Sequence, residues 1–279
     1  MEWMGYLATL LMGITLGLVG GGGSILTVPI LVYLFGIAPV LATAYSLFIV
    51  GSTSLLGGWG YHRRGDVDWR TGFTFAAPSF IGVYLTRAYL MPRVPDPIWQ
   101  SASVALSKPI LIMGVFAALM LLASWSMLRS PQASTANKAP TQAPRSLHKS
   151  GFALIALEGL LVGGVTGFVG AGGGFLIIPA LVILVGLPMR VAVGTSLIII
   201  AVKSLLGFLG DVQTQANLQW GLLLSLSAVA LVGMALGLKL APRVPEAKLK
   251  RGFGWMVLLM GALIMADQLR QMSNTGSGN

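Results

Sequence analysis

Two stretches of the chain, LVGGGGSILTVPILVYLFG at Leu18–Gly36 and FVGAGGGFLIIPALVILVG at Phe168–Gly186, set a block of glycine between segments that otherwise read as membrane helix. Glycine loses more conformational freedom on folding than any other residue. Unpaired backbone groups are also most costly where water does not reach them. A chain that keeps such blocks twice needs them for something other than a continuous helix. The surroundings are built for a bilayer: of 279 residues, 55% are hydrophobic and 9% charged, against about a quarter charged in an ordinary soluble domain. The reading is an integral membrane protein with little mass outside the membrane.

Apolar runs fall at roughly 4–19, 25–35, 40–58, 71–90, 100–128, 151–169, 175–185, 189–209, 220–240 and 252–269. About 20 residues are needed to cross the hydrocarbon core as a straight helix, and the runs 25–35 and 175–185 fall well short. The N-terminus carries Glu2 where a cleaved signal would carry Lys or Arg, so it reads as the first span. Between 129 and 150 lies RSPQASTANKAPTQAPRSLHKS, a composition that predicts a flexible linker, and 271–279 reads as a disordered tail.

The linker separates two copies of one unit. Residues 13–57 align without gaps on 163–207, keeping Gly17/Gly167, Gly20/Gly170, Gly22/Gly172, Gly23/Gly173, Pro29/Pro179, Gly36/Gly186 and Ser46/Ser196 in register up to a shared SLLG at Gly57/Gly207. Later, DWRTG faces QWGLL, and PRVPD at 92–96 faces PRVPE at 242–246. Residues 1–128 therefore form a first repeat and 151–270 a second. Their loops carry opposite charge. The loop 61–70 holds three arginines and its counterpart 211–219 has no positive charge, while 239–251 is basic and its counterpart 91–99 has one arginine. Basic loops mark the cytoplasm, so equivalent loops lie on opposite faces, with the linker cytoplasmic and the termini external. The expected fold is an all-α polytopic membrane protein made of two inverted-topology repeats with broken or re-entrant Gly-rich helices, about eight membrane-spanning elements in all. Inverted repeats with broken helices are a mark of secondary transporters.

A glycine-rich break that opens a half-helix leaves several N–H groups without intrahelical partners at the positive end of a dipole. Such donors suit an oxyanion, and glycine lets it approach closely. The candidates are Gly21, Gly22, Gly23 and Ser24 in the first break, and Gly172, Gly173 and Gly174 in the second. Thr43, Ser46, Thr195, Ser196 and Lys203 on the neighbouring helices join them. Lys203 lies well inside the run 189–209, where a charge is expensive and marks function by default; snorkelling to the interface is the plain alternative. Glu158, inside 151–169, is a candidate proton carrier or the charge partner of Lys203, whereas Arg87 and Lys108 lie near span ends and read as interfacial. For the Gly13/Gly17 spacing the alternative is ordinary helix packing.

Zero cysteines exclude thiolate chemistry, and two distant histidines, His62 and His148, argue against a histidine metal site, so neither metal nor cofactor is expected. The net charge of +10 comes without a basic patch interleaved with aromatics, so no nucleic-acid partner is expected. A small anion, the lipid bilayer and, as a candidate, a second copy of the chain in a homo-oligomer are the expected partners. An intramembrane enzyme acting on a lipid phosphate would need a catalytic constellation, and neither paired carboxylates nor a His–Asp grouping is found at depth. An anion channel is the remaining alternative.

The duplicated GLVGGGGSILTVPIL and GFVGAGGGFLIIPAL, each followed by a helix ending in SLLG and a later PRVP, resemble the sulfite exporter TauE/SafE family of bacterial membrane permeases. The resemblance covers nearly the whole chain apart from linker and tail. It implies a carrier in the bacterial inner membrane for a small sulfur-containing anion such as sulfite or an organosulfonate, and no enzymatic activity. The loop charges make a direct prediction. Single cysteines placed at positions 66 and 245 of this cysteine-free chain react with an impermeant thiol reagent from the same, cytoplasmic side; labelling from opposite sides overturns the inverted arrangement.

Overall fold

A computed structural model describes residues 2–95, 98–101, 104–129, 149–169, 173–183, 185–214, 218–243 and 246–275. Most of the segment read as linker, 130–148, and the end of the tail, 276–279, lie outside the described residues, as does Gly172. The helices in chain order are α1 (Glu2–Val19), α2 (Thr27–Pro29), α3 (Pro39–His62), α4 (Trp69–Leu85), α5 (Met91–Arg93), α6 (Lys108–Arg129), α7 (Lys149–Val169), α8 (Gly174–Ile183), α9 (Met189–Thr214), α10 (Trp220–Leu240) and α11 (Glu246–Thr275). Eight of them have 17 residues or more, which agrees with the apolar runs. By length and composition Trp3–Leu34 (which the glycine break divides), Pro39–His62, Met189–Val212 and Trp220–Arg243 are long and apolar enough to cross a bilayer, and Lys108–Leu122 and Ile155–Val169 are shorter apolar helices. α11 runs through Thr275, into the segment read as tail.

One departure from the all-helical expectation is an antiparallel ribbon, β1 (Trp99–Ser101) with β2 (Val104–Leu106), Trp99 opposite Leu106. It takes up the start of the run read as 100–128, so α6 begins only at Lys108, whose ammonium donates to the Met91 carbonyl.

α1 does not continue through the glycine block. The chain turns at Gly20, where φ is +73°, a conformation open to glycine at little steric cost. It then passes through a 3₁₀ turn (Gly20–Leu26), α2 and a π-turn (Ile30–Leu34). This limb doubles back on α1: a Cβ added to Gly23 would lie 2.5 Å from the Leu16 nitrogen, and at the far end Phe35 meets Tyr6 edge-on at 5.6 Å. The short run 25–35 is thus the returning limb of a hairpin with its predecessor, which is what its length predicts.

The long helices pair as α1 with α10, α4 with α7, α3 with α9 and α6 with α11. Under the sequence duplication α1 corresponds to α7, α3 to α9, α4 to α10 and α6 to α11. Exchanging the copies therefore turns the first pair into the second and leaves the other two unchanged, as a twofold axis between the repeats requires. Gly51 meets Leu205 and Gly58 meets Ile198, so the equivalent helices α3 and α9 run antiparallel, which is the course that inverted copies take.

The non-equivalent pairs pack closely through small residues. A Cβ on Gly13 would lie 2.3 Å from the Ala230 carbonyl oxygen, and one on Gly163 would lie 2.1 Å from that of Ser79. The Gly13/Gly17 spacing is a packing face against Gly233 and Gly237. Large apolar side chains such as Leu7, Phe73, Ile81, Trp125 and Leu259 cover the outside, whereas Thr43, Ser46, Thr53, Thr195 and Lys203 are buried. That distribution suits a lipid solvent. Gly13→Ala and Gly163→Ala are expected to lower thermal stability by about 1–3 kcal/mol through overpacking. Gly114→Ala, where a Cβ meets nothing within 4 Å, is expected to leave stability unchanged or raise it. Thermal unfolding of the purified variants measures both.

Candidate functional site

The two glycine breaks touch. A Cβ on Gly21 would lie 2.4 Å from the Gly174 Cα, and one on Gly174 would lie 2.1 Å from the Gly21 Cα. Only residues without side chains permit this backbone approach between the repeats. Helix α9 passes along the junction: Val193 lies beside Gly20, Ile200 beside Gly21 and Lys203 beside Gly173. Ile200 and Lys203 flank the middle of α9 (Met189–Thr214), so the junction sits about halfway along a membrane-length helix.

Lys203 is fully buried, with 0% of its surface exposed, and does not reach the interface. Its Nζ donates to Thr166 Oγ1 at 2.8 Å, and a Cβ on Gly173 would lie 2.6 Å from it. Gly173 has φ +72° and immediately precedes α8, so the ammonium stands next to the amide groups that open that helix. A cation and a helix N-terminus together make a local field suited to an anion. Thr166 was not among the residues singled out in the sequence; it marks itself only by lying four residues before the glycine block. Glu158 is on the same helix two turns earlier, about 12 Å away by helical rise. It is partly exposed, between the exposed Leu157 and Leu161, and so stands apart from Lys203.

The other candidates divide. Ser24 Oγ donates to the Gly21 carbonyl at 2.7 Å, inside the first break. Ser196 Oγ bonds back to the Val193 carbonyl at 2.8 Å, while its repeat mate Ser46 is buried with no hydrogen-bond partner among the described residues. Thr195 Oγ1 accepts the backbone N–H of Asp68 at 2.9 Å. Asp68 caps α4 through Arg70 and Thr71, so Thr195 holds the start of a helix of the other repeat. The equivalent position in α3 does the same: Tyr45 OH accepts the N–H of Gln219, just before α10, at 2.6 Å.

Thr43 lies elsewhere, with a residue that sequence reasoning placed at the interface. Arg87 is 1% exposed. Its Nη1 donates to Thr43 Oγ1 at 2.9 Å and to Asp211 Oδ1 at 3.2 Å, an ion pair between the repeats. A long, flexible cation near a span end normally snorkels to water. Here a π-turn at Thr86–Leu90 points it inward instead. The sequence did carry a signal, for Gly82–Pro95 is one residue longer than the corresponding Gly233–Pro245. One inserted residue in a helix is what a π-turn accommodates.

Comparison with known proteins decides the family. The sulfite exporter TauE/SafE pattern matches residues 6–264. The chain belongs to the TauE/SafE sulfite exporter family. It is 28% identical over 262 residues to a "Probable membrane transporter protein" of Xylella fastidiosa (strain Temecula1 / ATCC 700964), with 91% of each chain covered. It is also 28% identical over 258 residues to the "Probable membrane transporter protein YunE" of Bacillus subtilis (strain 168), covering 84% of this chain and 88% of that one. No solved structure matches it significantly. The protein is a multi-pass membrane transporter.

Within this TauE/SafE transporter the paired hydroxyls of Tyr45 and Thr195 fasten each repeat to the start of a helix of the other. Tyr45→Phe and Thr195→Val each leave a backbone N–H without its acceptor. Each is expected to cost about 1 kcal/mol of stability while leaving the transport KM unchanged, as thermal unfolding and flux assays read in parallel.

Proposed function

We propose that this transporter is a secondary carrier, an exporter or permease, of a small sulfur-containing oxyanion such as sulfite or an organosulfonate. The anion binds where the two glycine breaks meet, on amide groups of Gly21–Gly23 and Gly172–Gly174, with the Lys203 ammonium as its counter-charge. The observation that carries this reading is the burial of Lys203 beside Gly173 at the head of α8, next to the Gly21–Gly174 contact. The hydrogen bond of buried Lys203 goes to a hydroxyl, Thr166, and not to a carboxylate, so its charge is left to be met by a ligand. A sulfonate or sulfite group offers several oxygens, enough for the ammonium and several amides together.

The two repeats, 1–128 and 151–270, then rock about the twofold axis to expose the junction alternately to each face of a bacterial inner membrane. The linker at 129–150 faces the cytoplasm and both termini face outside. Glu158 is the proposed site of proton coupling, since it is the acid nearest the middle of α7. The test is flux of sulfite, thiosulfate, sulfoacetate, taurine and sulfate in proteoliposomes. Lys203→Met is expected to abolish flux of the transported anion and Thr166→Val to reduce it several-fold. A Lys203→Met variant with unchanged flux and KM overturns the site.

A further inference from the structure

The Arg87 guanidinium is engaged on one nitrogen only. Nη1 binds Thr43 and Asp211. Nε and Nη2 are buried and have no hydrogen-bond partner among the described residues. Leaving two charged donors unsatisfied away from water is costly. The Nε–Nη2 edge is also the side of the guanidinium that receives a carboxylate, sulfonate or phosphate through two parallel hydrogen bonds. A purely structural ion pair would be expected to present that fork to Asp211, not the single Nη1 contact observed.

Buried polar residues lie along α3 and α9 between the Arg87 pair and the level of Lys203. On α3, Thr43 is followed one turn later by Ser46, buried and without a partner among the described residues, and then by Thr53. On α9, Asp211 lies two turns from Lys203, about 12 Å by helical rise. At the end of the molecule that corresponds under the repeat, no buried ion pair of this kind is found among the described residues. There Val193 replaces Thr43 and Tyr61 replaces Asp211, and both belong to an apolar cluster with Leu16 and Met234. Among the described residues the buried ion pair is at the end where the inserted residue of the π-turn puts Arg87 inside.

We propose that Arg87 is a second oxyanion-binding residue, receiving the anion on its Nε–Nη2 edge between the Asp211 end of the bundle and the glycine junction. It rests on the reading of the chain as an oxyanion carrier, and it adds a binding point on the path that the Lys203 site does not supply. Asp211 then acts as the internal competitor: its carboxylate holds the guanidinium when no anion is present and yields part of it when one arrives.

Equilibrium binding of radiolabelled sulfite to the full chain in lipid nanodiscs tests this. The wild type is expected to bind two sulfites per chain, and Arg87→Lys, which keeps the charge facing Asp211 but loses the fork, is expected to bind one. In the Lys203→Met background the single remaining site belongs to Arg87, and adding Asp211→Asn there removes the competing carboxylate and is expected to tighten it about tenfold. One sulfite lost in Lys203→Met and kept in Arg87→Lys overturns the Arg87 site and leaves the glycine junction standing. One sulfite lost in Arg87→Lys and kept in Lys203→Met does the reverse. Unchanged or weaker binding on adding Asp211→Asn also overturns the Arg87 site, and this holds even where Arg87→Lys fails to fold. A wild type that binds no sulfite overturns both.

Discussion

Everything in this protein is arranged around the direct backbone contact between Gly21 and Gly174. Two chain segments from different repeats meet there without side chains between them, about halfway along α9. In a bilayer a non-helical backbone is tolerated only where protein or a water-lined cavity surrounds it. The long helices supply that enclosure: α3 and α9 cross antiparallel, and the parallel pairs α1–α10 and α4–α7 flank the two glycine breaks. A methyl group at either glycine would collide with the opposite main chain, so the contact and the arrangement of the helices stand or fall together.

The interior that results is an apolar core that also holds charged and hydroxyl groups. Lys203, Arg87 and Asp211 lie buried beside threonine and serine hydroxyls, while leucine, phenylalanine and tryptophan face outward. Burying an ion pair rarely adds stability, since desolvation offsets most of the attraction, yet removing one partner costs about 3–5 kcal/mol. Arg87 and Asp211 are therefore poor as fasteners and costly to lose, a combination that fits a working part. The fastening is done by groups whose chemistry is neutral: the Gly13 and Gly163 packing faces, and the Tyr45 and Thr195 hydroxyls that accept amides of Gln219 and Asp68.

Serine and threonine in a membrane helix have several uses that composition does not separate. Thr195, Ser196 and Thr43 look alike on paper. In the fold the first holds the neighbouring repeat, the second bonds to its own helix and the third supports Arg87. Their roles differ because each role depends on which helix from the other repeat faces them, and that partner lies far away in the chain.

Much of the architecture was legible in the amino-acid sequence because it follows from local physics. Run lengths against the thickness of a bilayer yield the eight long helices, and glycine and proline in register reveal the duplication. The shortness of 25–35 argued against a straight span and left a broken or a re-entrant helix open. What the sequence left undecided were the pairings between repeats. That the breaks touch through Gly21 and Gly174 and that Arg87 turns inward to Asp211 are contacts across the twofold arrangement, and that Thr166 holds Lys203 is a contact between two helices of the second repeat. An arginine near a span end has two physical options, the interface or the interior, of similar local cost. Only a one-residue insertion bent into a π-turn, together with a carboxylate brought to it from the other repeat, tips the balance inward.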